Sequence, residues 1–187
     1  HRPSRIEYLE RLSRELKGPE IYIKRDDDTS CFLSGNKVRK LEFLLADALE
    51  KGADTLITCG GLQSNHARAT AIVAKRFGLD CHLILRGRGV QPPDGYYLLD
   101  FLVGAKALFV TKSEYLNRQQ IFDKLEKRLL RQGKKPYSIP EGGSNGLGAI
   151  GYVRAMEEIR NQMEERGIEF DAIVIAVGSG GTYTGLW

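Results

Sequence analysis

Three short stretches hold residues whose types and spacing suit chemistry. The first is Gly178-Ser179-Gly180-Gly181-Thr182, between an apolar run and a predicted helix start. Glycines let successive backbone N–H groups turn inward, and a helix N-terminus adds partial positive charge, so the stretch can cradle a phosphate. Ser179 and Thr182 add hydroxyl donors. No Gly-Lys-Ser/Thr follows, and the spacing is not G-x-G-x-x-G, so neither a P-loop nor a dinucleotide turn is indicated. A tight turn with no ligand explains the same residues. The second stretch is Gly60-Gly61-Leu62-Gln63-Ser64-Asn65-His66. Its N–H groups and Ser64 suit a carboxylate. A plain turn capped by Ser64, with Asn65 and His66 exposed, is the alternative. The third, Ser34-Gly35-Asn36-Lys37-Val38-Arg39-Lys40, puts Lys37 in the first turn of a helix, at the end that favours anions. That position lowers its pKa and favours a free, nucleophilic amine. An ordinary basic helix start, with Arg39 and Lys40 as surface charges, is the alternative here.

Taken together, a lysine amine, a phosphate cradle and a carboxylate cradle are the parts a pyridoxal enzyme needs. These stretches, with Ile21-Tyr22-Ile23-Lys24-Arg25-Asp26-Asp27, also resemble the signature blocks of the D-cysteine desulfhydrase and 1-aminocyclopropane-1-carboxylate (ACC) deaminase family. The resemblance runs through nearly the whole chain in the family's order. It implies pyridoxal 5'-phosphate as cofactor and the two-domain α/β fold of type II, tryptophan synthase β-like. Lys37 matches the Schiff-base lysine, and Asn65 the asparagine bonded to the cofactor's 3′-oxygen. Ser64 matches a serine that binds substrate and relays a proton. Gly178, Ser179, Gly180, Gly181 and Thr182 match the phosphate loop.

The resemblance extends to substrate and assembly. Ser64, Asn65 and His66 are the implied substrate-binding residues, and Gln-Ser-Asn-His is nearer the desulfhydrases, whose elimination yields pyruvate, ammonia and hydrogen sulfide. ACC ring opening to 2-oxobutanoate is the alternative, and a non-catalytic binder of pyridoxal phosphate or another phosphometabolite is a third. Residues 1–50 and 138–187 are expected to form the larger domain and residues 51–137 the smaller. A cytoplasmic homodimer is implied. Family members are longer than this chain. The partner of the pyridine nitrogen, an active-site tyrosine and further strands are expected beyond Trp187.

The elements that must position these residues alternate. Strands are predicted at Glu20–Lys24, Asp54–Cys59, Cys81–Leu85, Ala107–Val110, Tyr137–Ile139 and Ala172–Val177. Helices are predicted from Asn36 to Lys51, Ser64 to Phe77, Tyr96 to Val103, Asn117 to Arg131, and from the Gly-rich turn at Glu141–Gly148 to Gly167. Unbroken apolar strands alternating with helices predict an α/β fold with a mainly parallel sheet, ligands binding at the strands' carboxyl ends.

Composition narrows the rest. The 187 residues are 42% hydrophobic and 28% charged, with a net charge of +4. The basic residues from Lys124 to Arg131 are interleaved with Glu126 and apolar positions, which reads as a solvated helix face and not a nucleic-acid stripe. Cys31, Cys59 and Cys81 lack C-x-x-C spacing and read as reduced thiols. The three histidines form no ligand cluster, and Asp26, Asp27 and Asp28 read as turn and salt-bridge residues, so no metal is expected. His82 reads as a satisfied core histidine, Cys59 as a buried small residue and Tyr183 as packing. No apolar run is long enough to span a membrane. The expected partner is a small amino-acid substrate.

Overall fold

The computed structural model describes residues 3–29 and 35–187. His1, Cys31 and Ser34 of the sequence reading lie outside the described residues. Strands Ile6–Tyr8 (β1) and Tyr22–Lys24 (β2) pair antiparallel around helix Glu10–Leu16 (α1). The sequence reading contains only the second strand, because three residues carry too little alternation to stand out. Helix Lys37–Glu50 (α2) then leads into a repeating unit: Thr55–Gly61 (β3), Asn65–Arg76 (α3), Asp80–Arg86 (β4), Gly95–Leu102 (α4) and Lys106–Val110 (β5). Helices Lys112–Leu116 (α5) and Arg118–Arg131 (α6), strand Pro136–Ser138 (β6), and helices Gly146–Arg166 (α7) and Gly181–Leu186 (α8) follow.

Four strands form one parallel sheet in the order β5-β4-β3-β6. It is covered on both faces, which is why its strands read as unbroken apolar runs. Leu56, Leu83 and Leu85 pack with Leu41, Leu44 and Ala71, whereas Ile57, Cys59 and Ile84 pack with Phe122, Leu125 and Leu129 of α6. Lys124, Lys127, Arg128 and Arg131 lie on the exposed face of α6, as the interleaved charges predict. Cys59 is buried as expected, and Tyr183 stacks on Trp187. His82 is buried too, but among the described residues its Nε2 has no hydrogen-bond partner, so the expectation of a satisfied histidine is corrected.

The predicted strand Ala172–Val177 does not form. Residues 172–177 take no strand pairing, and Val174 is 95% exposed. A strand exists only by hydrogen bonding to a neighbour, and no described strand lies beside this one.

On the other side of the molecule α7 packs against α2 and α8. The approach to α2 is backbone to backbone, since a Cβ on Gly151 would collide with the Arg39 carbonyl. Beneath this contact Arg39, 1% exposed, donates from Nε and Nη2 to the two carboxylate oxygens of Asp26 at 2.8 Å each, and from Nη1 and Nη2 to those of Glu158 at 3.0 Å each. Lys24 also donates to Glu158, and the Tyr152 hydroxyl donates to Asp26 at 2.7 Å. Asp27 and Asp28 pair with Arg25 and Arg5. The aspartates are thus salt-bridge residues, as read. Arg39 and Lys40 are not surface charges, for both side chains are 1% exposed.

Asp100 on α4 is 1% exposed, and among the described residues neither carboxylate oxygen has a hydrogen-bond partner. Burial pushes its pKa up to about 7, against the pull of Arg68. The folded state therefore binds this proton more tightly than the unfolded chain. The resulting stability is complete below the ordinary value of 3.8 and is lost as pH rises to about 7. Asp100→Asn should accordingly stabilise the protein by about 2–4 kcal/mol at pH 8 and leave it unchanged below pH ~3.5. Urea midpoints at the two pH values measure the difference.

Candidate active site

At the carboxyl end of β3 lies a cleft of about 450 Å³. Its lining includes Lys37, Ser64, Asn65, His66, Gly178 and Ser179, so all three sequence stretches meet in one place. Glu141 and Gly142 complete the wall, and neither was singled out as a site residue from the sequence.

Lys37 opens α2. Its Nζ donates to Asn36 Oδ1 at 3.0 Å, and Asn36 Nδ2 donates to Thr182 Oγ1 at 3.2 Å. Two hydrogen bonds therefore join the amine to the glycine loop. Asn36 stands at the N-cap position of α2 but makes no capping bond, because its amide is committed to this link. Burial lowers the pKa of Lys37, so its amine loses the proton more readily than an ordinary lysine.

One turn further along α2, Lys40 lies under the loop. Its Nζ donates to Ser144 Oγ at 3.1 Å and to the Gly142 carbonyl at 3.4 Å. Burial, then the charge of Lys37, brings its pKa down to about 8. Ser144 Oγ is 2.7 Å from Ser179 Oγ. A Cβ on Gly181 would stand 2.6 Å from Ser144 Oγ and 2.8 Å from Lys40 Nζ, so the loop rests directly on a hydroxyl and an amine. Lys40 and Ser144 were missed as site residues. The i, i+3 spacing from Lys37 puts Lys40 on the same helix face and was the available signal. Ser144 lies in a Gly-rich turn whose sequence announces only a turn.

On the opposite wall Ser64 caps α3 by accepting from the Ala67 N–H at 3.2 Å, and it also faces the cleft, so the two readings of Ser64 are compatible. Asn65 Oδ1 accepts from Arg68 Nη2. His66 is 3% exposed, which corrects the alternative of an exposed first turn. Thr58 Oγ1 donates its single hydrogen to the Ile139 carbonyl at 2.9 Å, so it must accept from His66 Nε2 at 2.8 Å. Burial, then Lys37 and Lys40, push the His66 pKa down to about 3. The ring is neutral, with its proton on Nε2, and Nδ1 is buried without a hydrogen-bond partner among the described residues.

This donor set fits a molecule with a phosphate at one end and an amine-reactive carbonyl at the other. The amine is Lys37. The Ser179 and Thr182 hydroxyls and the loop's glycine N–H groups would meet the phosphate, with Lys40 buried beneath the loop. Among the described residues no group of three or more His, Cys, Asp or Glu is placed to hold a metal.

Comparison with known proteins agrees with that fit. The pyridoxal-phosphate dependent enzyme family matches residues 1–187. A provisionally named 1-aminocyclopropane-1-carboxylate deaminase of Thermotoga maritima is 53% identical over 185 residues, 99% of this chain and 58% of its own length. A D-cysteine desulfhydrase of Klebsiella pneumoniae is 47% identical over 192 residues, 98% of this chain and 56% of its own. The crystal structure of an ACC deaminase homologue superposes with a TM-score of 0.90 at 46% identity, covering 98% of this chain and 55% of that one. The chain thus spans a little over half the length of these relatives. It has their α/β fold, a parallel sheet flanked by helices, and it belongs to the pyridoxal-phosphate-dependent enzyme family.

Proposed function

We propose that this chain supplies the cofactor-binding part of a lyase that converts D-cysteine and one water into pyruvate, ammonia and hydrogen sulfide. The observation that carries the reading is the half-buried amine of Lys37 sharing one cleft with the Gly178 loop and the Ser64-Asn65-His66 turn. Pyridoxal phosphate, when bound, supplies a conjugated ring that takes up the charge left at Cα after proton loss. Lys37 holds the cofactor's aldehyde carbon. Gly178 to Thr182 hold its phosphate, with Lys40 giving the positive charge beneath. Asn65 donates to a ring oxygen. The N-terminal N–H groups of α3 and Ser64 take the substrate carboxylate. Once the substrate's amine has taken its place on the aldehyde carbon, the freed amine of Lys37 would remove the Cα proton, with Ser64 as relay, and its lowered pKa keeps more of it unprotonated at neutral pH.

ACC deamination is the second reading, favoured by the name of the Thermotoga relative. The cofactor-loaded protein is offered D-cysteine and ACC separately. Equimolar sulfide and pyruvate from D-cysteine is the expected result. 2-Oxobutanoate from ACC without sulfide from D-cysteine would transfer the assignment to the second reading, and bound cofactor with neither product would leave a non-catalytic binder.

The domain division into residues 1–50 with 138–187, and 51–137, is part of the proposal. It is supported by the four-stranded sheet falling almost wholly in the middle segment while α2, α7 and α8 pack together. A cytoplasmic homodimer follows from resemblance. Among the described residues, no helix is long and apolar enough to cross a membrane.

A further inference from the structure

We propose that Arg68 is a positioning residue that holds the Asn65 side-chain amide with its N–H₂ group turned to the Lys37 side of the cleft. The inference rests on the reading that the cofactor lies in this cleft. A guanidinium has donors and no acceptor. Arg68 Nη2 meets Asn65 Oδ1, which settles which end of the amide is oxygen. The nitrogen lies at the other end, toward Gly35: a Cβ there would be 2.9 Å from Asn65 Nδ2 and 3.7 Å from Oδ1. Gly35 is two residues from Lys37, so the amide donor is aimed at the side where the reactive amine stands. The ligand atom that meets it must be an acceptor, best a charged oxygen.

Arg68 is itself fixed. It is 4% exposed, and its guanidinium lies over the Tyr96 ring at 4.6 Å. The Tyr96 N–H donates to Gln63 Oε1 at 2.6 Å, and Gln63 Nε2 donates to Asp94 Oδ1 at 3.0 Å. The start of α4 is thereby tied to the turn that carries Ser64 and Asn65. Without Arg68, no other described side chain donates to Asn65 Oδ1, so the amide is free to turn over and offer a carbonyl oxygen where a donor is required.

The test measures the dissociation constant of pyridoxal phosphate and the pH midpoint of its visible absorbance when bound. It uses the full-length protein and the variants R68M, R68K, N65A and N65A/R68M. R68M should weaken binding by roughly 10-fold, the loss of one hydrogen bond to a charged acceptor, and should move the midpoint. R68K, which keeps a donor, should recover most of both. In the N65A background R68M should add nothing, because Arg68 acts through Asn65. R68M indistinguishable from wild type, or an equal further loss on top of N65A, overturns the proposal. Should R68M not fold, N65A/R68K is compared with N65A by the same criterion. If N65A weakens binding but Arg68 variants do not, only this inference falls. If N65A has no effect and borohydride leaves Lys37 unlabelled, the cofactor site falls with it.

Discussion

Lys37→Ala is expected to end the covalent hold on pyridoxal phosphate and to lower turnover by roughly 10²–10⁴-fold. The substitution removes an amine and little else. Alanine is the best helix former, so α2 keeps its start, and Leu41, Leu44, Leu45 and Ala48 keep their packing. Lys37→Arg should fare no better, since a guanidinium does not release its proton and cannot become a nucleophile. Lys40 is the obvious substitute amine, but it is 1% exposed and engaged with Ser144 and Gly142. Borohydride reduction followed by peptide mapping should therefore label Lys37 in the wild type and no lysine in the variant. A labelled Lys37→Ala protein, or one with undiminished turnover, would refute the assignment.

Arg39→Met should destabilise the fold by about 3 kcal/mol, the cost of leaving two half-buried carboxylates without the guanidinium that bridges them. Asp26 and Glu158 each take two hydrogen bonds from this one side chain. The pH dependence carries the same signature. Burial works to raise the Glu158 pKa, but hydrogen bonds from Arg39 and Lys24 overcome it and bring the carboxyl down to about 2 from 4.5. A carboxylate depressed in this way contributes stability above its unfolded value, and that contribution is lost as pH falls from 4.5 toward 2. It amounts to about 3 kcal/mol in the wild type and should fall by roughly half in Arg39→Met, which keeps the Lys24 bond to Glu158. Denaturant midpoints between neutral and acid pH measure both effects. A loss below ~1 kcal/mol would mean that the pairing is no stronger than a surface bridge.

The difference between Lys37 and Arg39 shows where the sequence is readable. Lys37, Ser64, Asn65 and the Gly178 loop could be singled out because each stands at or just before a helix start, where glycines and cap residues announce themselves. The helices ended by Gly52, Gly78 and Gly167 were legible for the same reason. Arg39 and Lys40 were not, because a basic residue carries a strong prior for the surface, and the carboxylate that buries Arg39 is 119 positions away at Glu158. The tautomer of His66 depends on Thr58 and Ile139, which no local pattern connects to it. The segment 172–177 has the composition of a buried strand, but composition cannot supply the neighbour that a strand needs. Helix α5 is too short for its period to register, although its capping box at Thr111 and Glu114 was visible in principle.

Helix α2 begins with three cations, no acid in its first turn and no capping side chain. Such a helix end is electrostatically incomplete by itself. Arg39 is neutralised by carboxylates, but Lys37 and Lys40 stand one turn apart on the same helix face, at a site that asks for negative charge. Capturing an anionic ligand and rigidifying this helix end are therefore one event, and the heat tolerance of the protein becomes a function of how much ligand surrounds it.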